Sequence, residues 1–338
     1  MPDPNNIPPS ARPLLEQRID KLGLTLETPA VQRPIQQLRR ELDRKGLRRF
    51  RPQFYLTDEW GCPDEQPIIG IPFYLADPRL RLIERAVVHE LETPRQVLMY
   101  LRHEAGHALN YAYRLYRTPE WRKMFGPFGR RYGDDYRPTP FSRKYVRHIA
   151  GWYAQKHPDE DFAETFAVWL APRSNWRVKY KSWPALEKLR YVDRVVRTLK
   201  DVEPLVPVGE ADLTVGDMKL TVARFYDRLE RRSKTPIKIA LESDLGDIFI
   251  PKGRRRKNVR PAWKLVDSIQ DQLTSKITYW TGLQRRVVGA MVRQIIETCR
   301  NLELAADTTR EADYLVELTA YGTTLAMNKL RRGKFEHL

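Results

Sequence analysis

The sequence predicts an α+β chain: a mixed domain with a small sheet beside a central helix and a second motif-bearing helix, then a mainly helical domain. Two short runs, 53–57 and 68–75, are aromatic or β-branched and bounded by Pro and Gly, as strands are. Apolar residues recur at helical spacing in 95–117, 158–170 and 185–200. Beyond residue 217 the pattern is almost entirely helical.

Residues 1–12 are proline-rich and are expected to be disordered. Leu14–Leu24 and Thr28–Lys45 read as helices, the second with Pro34 near its start. The two strand-like runs follow. Thr93-Pro94 then supplies an N-cap and a first-turn proline, whose missing N–H costs nothing there. Val97, Leu98, Leu101, Ala105, Ala108, Leu109 and Ala112 give that helix a broad apolar face. The stretch from Ala108 to Asp159 is rich in aromatic and basic residues, and Gly126, Gly129 and Gly133 break part of it into loops. It could rim a cleft, with Arg130, Arg131, Arg143 and Arg147 available to carboxylates. Pro158 opens the next helix, which carries an acidic first turn. A helix over Ala185–Lys200 closes a domain spanning 13–200, and Asp201–Gly216 reads as a linker. A helical domain is expected over 217–338, with helices near 217–232, 261–302 and 309–331.

Composition narrows the function. The formal charge is +17 and the pI about 9.8, which favours acidic partners: nucleic acid, an anionic surface or acidic peptides. A diffuse basic surface kept for solubility is the blander reading. Only Cys62 and Cys299 are present, which argues against a disulfide framework and for a reducing compartment. With no basic–apolar leader and no run of about 18 apolar residues, the expectation is a cytoplasmic protein without membrane spans. The run Lys252–Lys257 could meet phosphates, but no nucleic-acid fold signature accompanies it.

The most specific stretch is His103-Glu104-Ala105-Gly106-His107. Histidines four apart on a helix stand one turn above each other, so both rings can reach one ion. Glu104, at the edge of that face, can hold a water that the ion has acidified. Gly106 costs about 1 kcal/mol against alanine in a helix, so a small residue there could let another segment approach closely.

A catalytic zinc needs a third protein ligand and an open position. The H-E-x-x-H-x-x-G-x-x-H continuation fails, because Asn110 and Tyr113 occupy the required positions. Downstream candidates are Asp134, Asp135, His148, His157, Asp159, Glu160, Asp161 and Glu164. Glu160 and Glu164 share a helix face, which suits one ligand and one carboxylate that fixes a histidine tautomer. A cluster of first-turn acids favouring the helix dipole is the alternative.

The H-E-x-x-H helix followed by a Glu-x-x-x-Glu helix resembles the gluzincin clan of zinc peptidases. Tyr153-Ala-Gln-Lys-His-Pro-Asp-Glu-Asp-Phe-Ala-Glu-Thr165 is similar to a segment of bacterial zinc-dependent metallopeptidases. It also resembles the third-ligand helix of the lethal-factor type. The resemblance covers Thr93 to Leu170 and implies a zincin-like catalytic domain. It implies that His103, His107 and Glu160 hold Zn2+, with Glu164 behind them, Glu104 as general base and Tyr153 as oxyanion donor. It also implies that the 68–75 strand pairs with an extended peptide or protein substrate. A nucleic-acid-associated protein, or a scaffold in which zinc is structural, is the competing expectation.

Overall fold

The computed structural model describes residues 6–88, 91–133, 136, 138–233, 241–251, 258–283, 285–332 and 335. Asp134, Asp135 and Lys252–Lys257, named above, lie outside the described residues. The architecture is helix-rich with two small sheets, and the chain divides into two compact units, Met1–Arg232 and Ser233–Leu338.

The first unit contains α1 (Pro29–Arg44), β1 (Gln53–Thr57), β2 (Ile68–Pro72), α2 (Pro78–Val87) and α3 (Pro94–Ala112). It continues with α4 (Pro119–Phe125), α5 (Pro158–Leu170), α6 (Trp176–Lys179), α7 (Ala185–Thr198) and α8 (Val222–Ser233). At its centre α3 packs on α5, with α1 and β2 also against α3 and α7 against α5. The core here includes Leu38, Leu42, Ile69, Phe73, Leu101, Leu109, Phe162 and Phe166.

The two central helices approach through glycine. A Cβ on Gly106 would lie 2.7 Å from the Ala163 Cα and 3.0 Å from its carbonyl oxygen. Those are backbone atoms of the facing helix, which cannot swing aside. Gly106→Ala should therefore destabilise the protein by about 1–3 kcal/mol, even though alanine is the better helix former. A thermal melt of the variant checks this: an unchanged or raised Tm contradicts the packing.

α3 starts where the sequence placed it. Thr93 Oγ accepts from the Gln96 N–H, the Gln96 side chain accepts from the Thr93 N–H, and Pro94 opens the first turn. A two-pronged ion pair from Arg102 to the buried Glu41, 2.7 Å on each prong, ties α3 to α1. The helix stops at Ala112, short of the expected Arg117, because Arg114 turns left-handed at φ +50°. α2 was not expected, although Asp77-Pro78 carries the same cap-and-proline signature.

Several boundaries differ from the sequence expectation. Residues 6–12 of the expected tail are packed, with Ile7 and Ala11 buried; residues 1–5 lie outside the described residues. The expected helix over 14–24 is two short 3-10 turns, Arg12–Leu14 and Ile19–Lys21. Tertiary pairing overrides local propensity there: Ile19 donates to the Leu220 carbonyl, Val222 to Gln17 and Ala223 to Leu15. That pairing also places 217–232 in the first unit. The expected linker is docked on it too. Val206 donates to the Ala112 carbonyl, the Tyr113 hydroxyl to the Val202 carbonyl and the Tyr55 hydroxyl to Asp212.

β1 and β2 form a parallel pair, in register Tyr55 to Gly70. The strand expected to reach residue 75 ends at Pro72, and Phe73–Ala76 forms a 3-10 turn. Its outer edge is taken. Gly70 donates to the Gly61 carbonyl, Ile68 to the Gln66 carbonyl, and Pro72 has no N–H. Strand addition to β2 is thus not available as this structure stands.

The second unit contains α9 (Glu242–Ile248), β3 (Val259–Pro261), α10 (Ala262–Thr281), α11 (Arg285–Asn301), β4 (Ala305–Asp307) and α12 (Glu311–Arg332). β3 and β4 pair antiparallel, a small sheet within the expected helical domain. α10 ends on Gly282 at φ +78°, a left-handed cap that separates it from α11. Leu265, Leu273, Ile277, Met291, Ile295 and Leu325 are in its core. Among the described residues no helix is long and apolar enough to cross a membrane.

Candidate metal centre

Both motif helices present their polar residues to one buried point. His103 Nε2 lies 2.9 Å from Glu160 Oε2, His107 Nε2 lies 3.3 Å from the same oxygen, and the two Nε2 atoms are 3.1 Å apart. All four motif side chains are nearly sealed: His103 at 2% exposure, Glu104 at 6%, His107 at 7% and Glu160 at 3%.

The far nitrogens are also held. His103 Nδ1 donates to Glu164 Oε1 at 2.9 Å, and His107 Nδ1 donates to Asp159 Oδ2 at 2.6 Å. A carboxylate can only accept, so each Nδ1 carries a proton, and each ring, when neutral, turns an Nε2 lone pair inward. Glu164 is fixed in turn by the backbone N–H groups of His148 and Ile149, at 3.2 and 2.9 Å. Asp159 accepts from Asn110 Nδ2 and the Tyr111 hydroxyl, each at 2.6 Å.

Three acceptor atoms therefore converge, and only a shared proton or a cation among them is favourable. Without an ion, the rings take up protons instead. Burial opposes a charged His103, yet its bonds to Glu160 and Glu164 outweigh that and lift its pKa to about 9. His107 is likewise raised well above its ordinary value, its burial outweighed by Asp159 and Glu160. The pocket draws positive charge to this point. The donor set fits zinc, whose ligands at about 2.0 Å in tetrahedral array stand roughly 3.3 Å apart. His103, His107 and Glu160 are the group that could hold an ion among the described residues.

Residues 64–181 match the model of a family described as a "putative zinc-binding metallo-peptidase". That span contains every residue of the centre. No curated protein matches the chain, and no solved structure does.

The remaining sequence candidates fall as follows. Glu104 sits beside the cluster, and burial raises its pKa above the usual carboxylate range. Tyr153 sets its ring 5.5 Å from that of His103 and keeps its proton, burial pushing its pKa far up. His157 is the N-cap of α5: Nδ1 accepts from the Asp159 N–H and Nε2 donates to the Arg130 carbonyl. Both ring nitrogens are thus committed away from the cluster. His148 directs Nε2 to the Met99 carbonyl. Asp161 pairs with Lys188, and its burial lifts it to about 7. Arg147 sits among the rings of Trp152, Trp183 and Phe141, at 4.2, 5.2 and 5.7 Å, where it braces the turn before Tyr153.

Two residues gained roles the sequence did not give them. Asp159, a candidate ligand by sequence, holds His107 from behind instead. A signal for it existed: His107, Asn110 and Tyr111 stand at i, i+3 and i+4, a polar patch on a buried helix that requires an acceptor. Tyr132 had been one of many aromatic residues between the helices, and its hydroxyl donates to Glu160 Oε1.

Proposed function

We propose that this chain is a zinc-dependent peptidase of the gluzincin type, with α3 and α5 as the two ligand helices of a zincin-like domain. The observation that carries the reading is the convergence of both inward histidine nitrogens and a Glu160 oxygen, each histidine backed by its own carboxylate.

His103, His107 and Glu160 would hold the ion, with Glu164 and Asp159 fixing the rings that present it. Zinc, when bound, would supply Lewis acidity for a carbonyl oxygen and lower the pKa of a water to about 7. Glu104, next in sequence to His103, is the base that takes a proton from that water and passes it to the departing amine. The Tyr153 hydroxyl, still protonated, is the donor for oxygen charge developing on the substrate. Near-complete burial of His103, Glu104, His107 and Glu160 strengthens the interactions they make.

The test is hydrolysis of an unfolded polypeptide by the purified full chain. Activity should disappear after chelator treatment and return with added zinc. Activity indifferent to the chelator would refute the reading.

A further inference from the structure

The Glu160 carboxylate has two oxygens with different surroundings. Oε2 faces the Nε2 atoms of His103 and His107, at 2.9 and 3.3 Å. Oε1 is turned away from them and accepts the hydroxyl of Tyr132. A carboxylate free at both oxygens can bind a metal through one or both of them. One already engaged by a hydrogen bond is biased to offer the other alone.

Tyr132 is itself placed rather than loose. Its ring stands 5.1 Å from that of His157, and Lys156 Nζ lies 4.3 Å from its centroid. The His157 ring donates to the carbonyl of Arg130, two residues before Tyr132, at 2.8 Å. The N-cap of α5 thus anchors the segment whose tyrosine reaches back to Glu160, in the first turn of the same helix. Half of the Tyr132 residue surface is still exposed (50%), so the core does not depend on it.

We propose that Tyr132 is a positioning residue that holds Glu160 as a one-oxygen ligand, so that a coordination position stays free for substrate. This rests on the peptidase reading of the site. Tyr132 acts through Glu160, and the hydroxyl is the part that matters.

The test compares Tyr132→Phe with the wild-type full chain, using cobalt(II) as a visible probe in place of zinc and a chromophoric chelator to measure zinc affinity. Phenylalanine keeps the ring and its contacts with His157 and Lys156 but removes the hydroxyl. The expected variant folds with an unchanged circular dichroism spectrum and still takes up metal. Its zinc affinity shifts by about 10-fold or more. The visible cobalt bands weaken, as higher-coordinate cobalt absorbs less, because the released Oε1 can join Oε2 on the ion. Peptide turnover falls through kcat more than through KM. A Tyr132→Phe protein with wild-type zinc affinity and a wild-type cobalt spectrum overturns the proposal while leaving the metal centre standing. A wild-type protein that binds neither metal overturns the metal centre and this proposal together.

Discussion

Glu104→Gln should retain its metal and lose peptide hydrolysis by about 10²- to 10⁴-fold. The amide has the size of the carboxylate and can still hydrogen-bond a water, but it cannot take its proton. Glu104 bears no ligand atom in the converging set, so metal uptake should survive. Replacing a buried carboxylate by a neutral amide removes a desolvated charge, a gain that outweighs the lost attraction to His103 and His107, so the variant should be no less stable. Metal content and turnover measured on the same preparation separate the two effects. Undiminished hydrolysis in Glu104→Gln would remove the general-base role.

Asp159 carries the second large effect. It accepts from His107, Asn110 and Tyr111 while 5% exposed. Asp159→Ala strands a buried amide and a buried hydroxyl, each costing about 1–3 kcal/mol, and frees His107 to rotate. The variant should melt well below the wild type and bind zinc about 10- to 100-fold more weakly. Asp159→Asn keeps one acceptor oxygen, so it should recover much of the stability yet remain impaired in metal affinity. Equal zinc affinity in wild type and both variants would mean that Asp159 only packs the helices.

The contrast between these residues shows how far the sequence could be read. The H-E-x-x-H pentad and the Glu160–Glu164 pair are legible because each lies within one helix, where spacing alone sets the shared face. Thr93-Pro94 is legible for the same reason: a cap is a local hydrogen-bond arrangement. Asp159 is not, because a first-turn acid looks like any residue favoured by the helix dipole. Its partners come from another helix, brought near by the packing of Gly106 on Ala163. Tyr132 was hidden for a further reason. It stands in a glycine-broken stretch with no periodicity, and its placement depends on the far nitrogen of the His157 cap.

The same logic explains the boundaries. A proline-rich start and a Pro/Gly-rich segment over 201–216 look like tail and linker from composition. Backbone pairing of residues 15–19 with 220–223, and of Val206 with Ala112, instead binds them to the first unit. Long-range backbone hydrogen bonds leave no trace in local composition. The helical character of the second unit, by contrast, was readable from the spacing of Leu265, Leu273 and Ile277, all buried.

The most direct measurement is zinc per chain in the purified protein, set beside Glu160→Ala and His157→Ala. The account predicts roughly one zinc per wild-type chain, lost with Glu160→Ala and kept in whatever fraction of His157→Ala remains folded. Zinc absent from the wild type, or retained by Glu160→Ala and lost from folded His157→Ala, would contradict it.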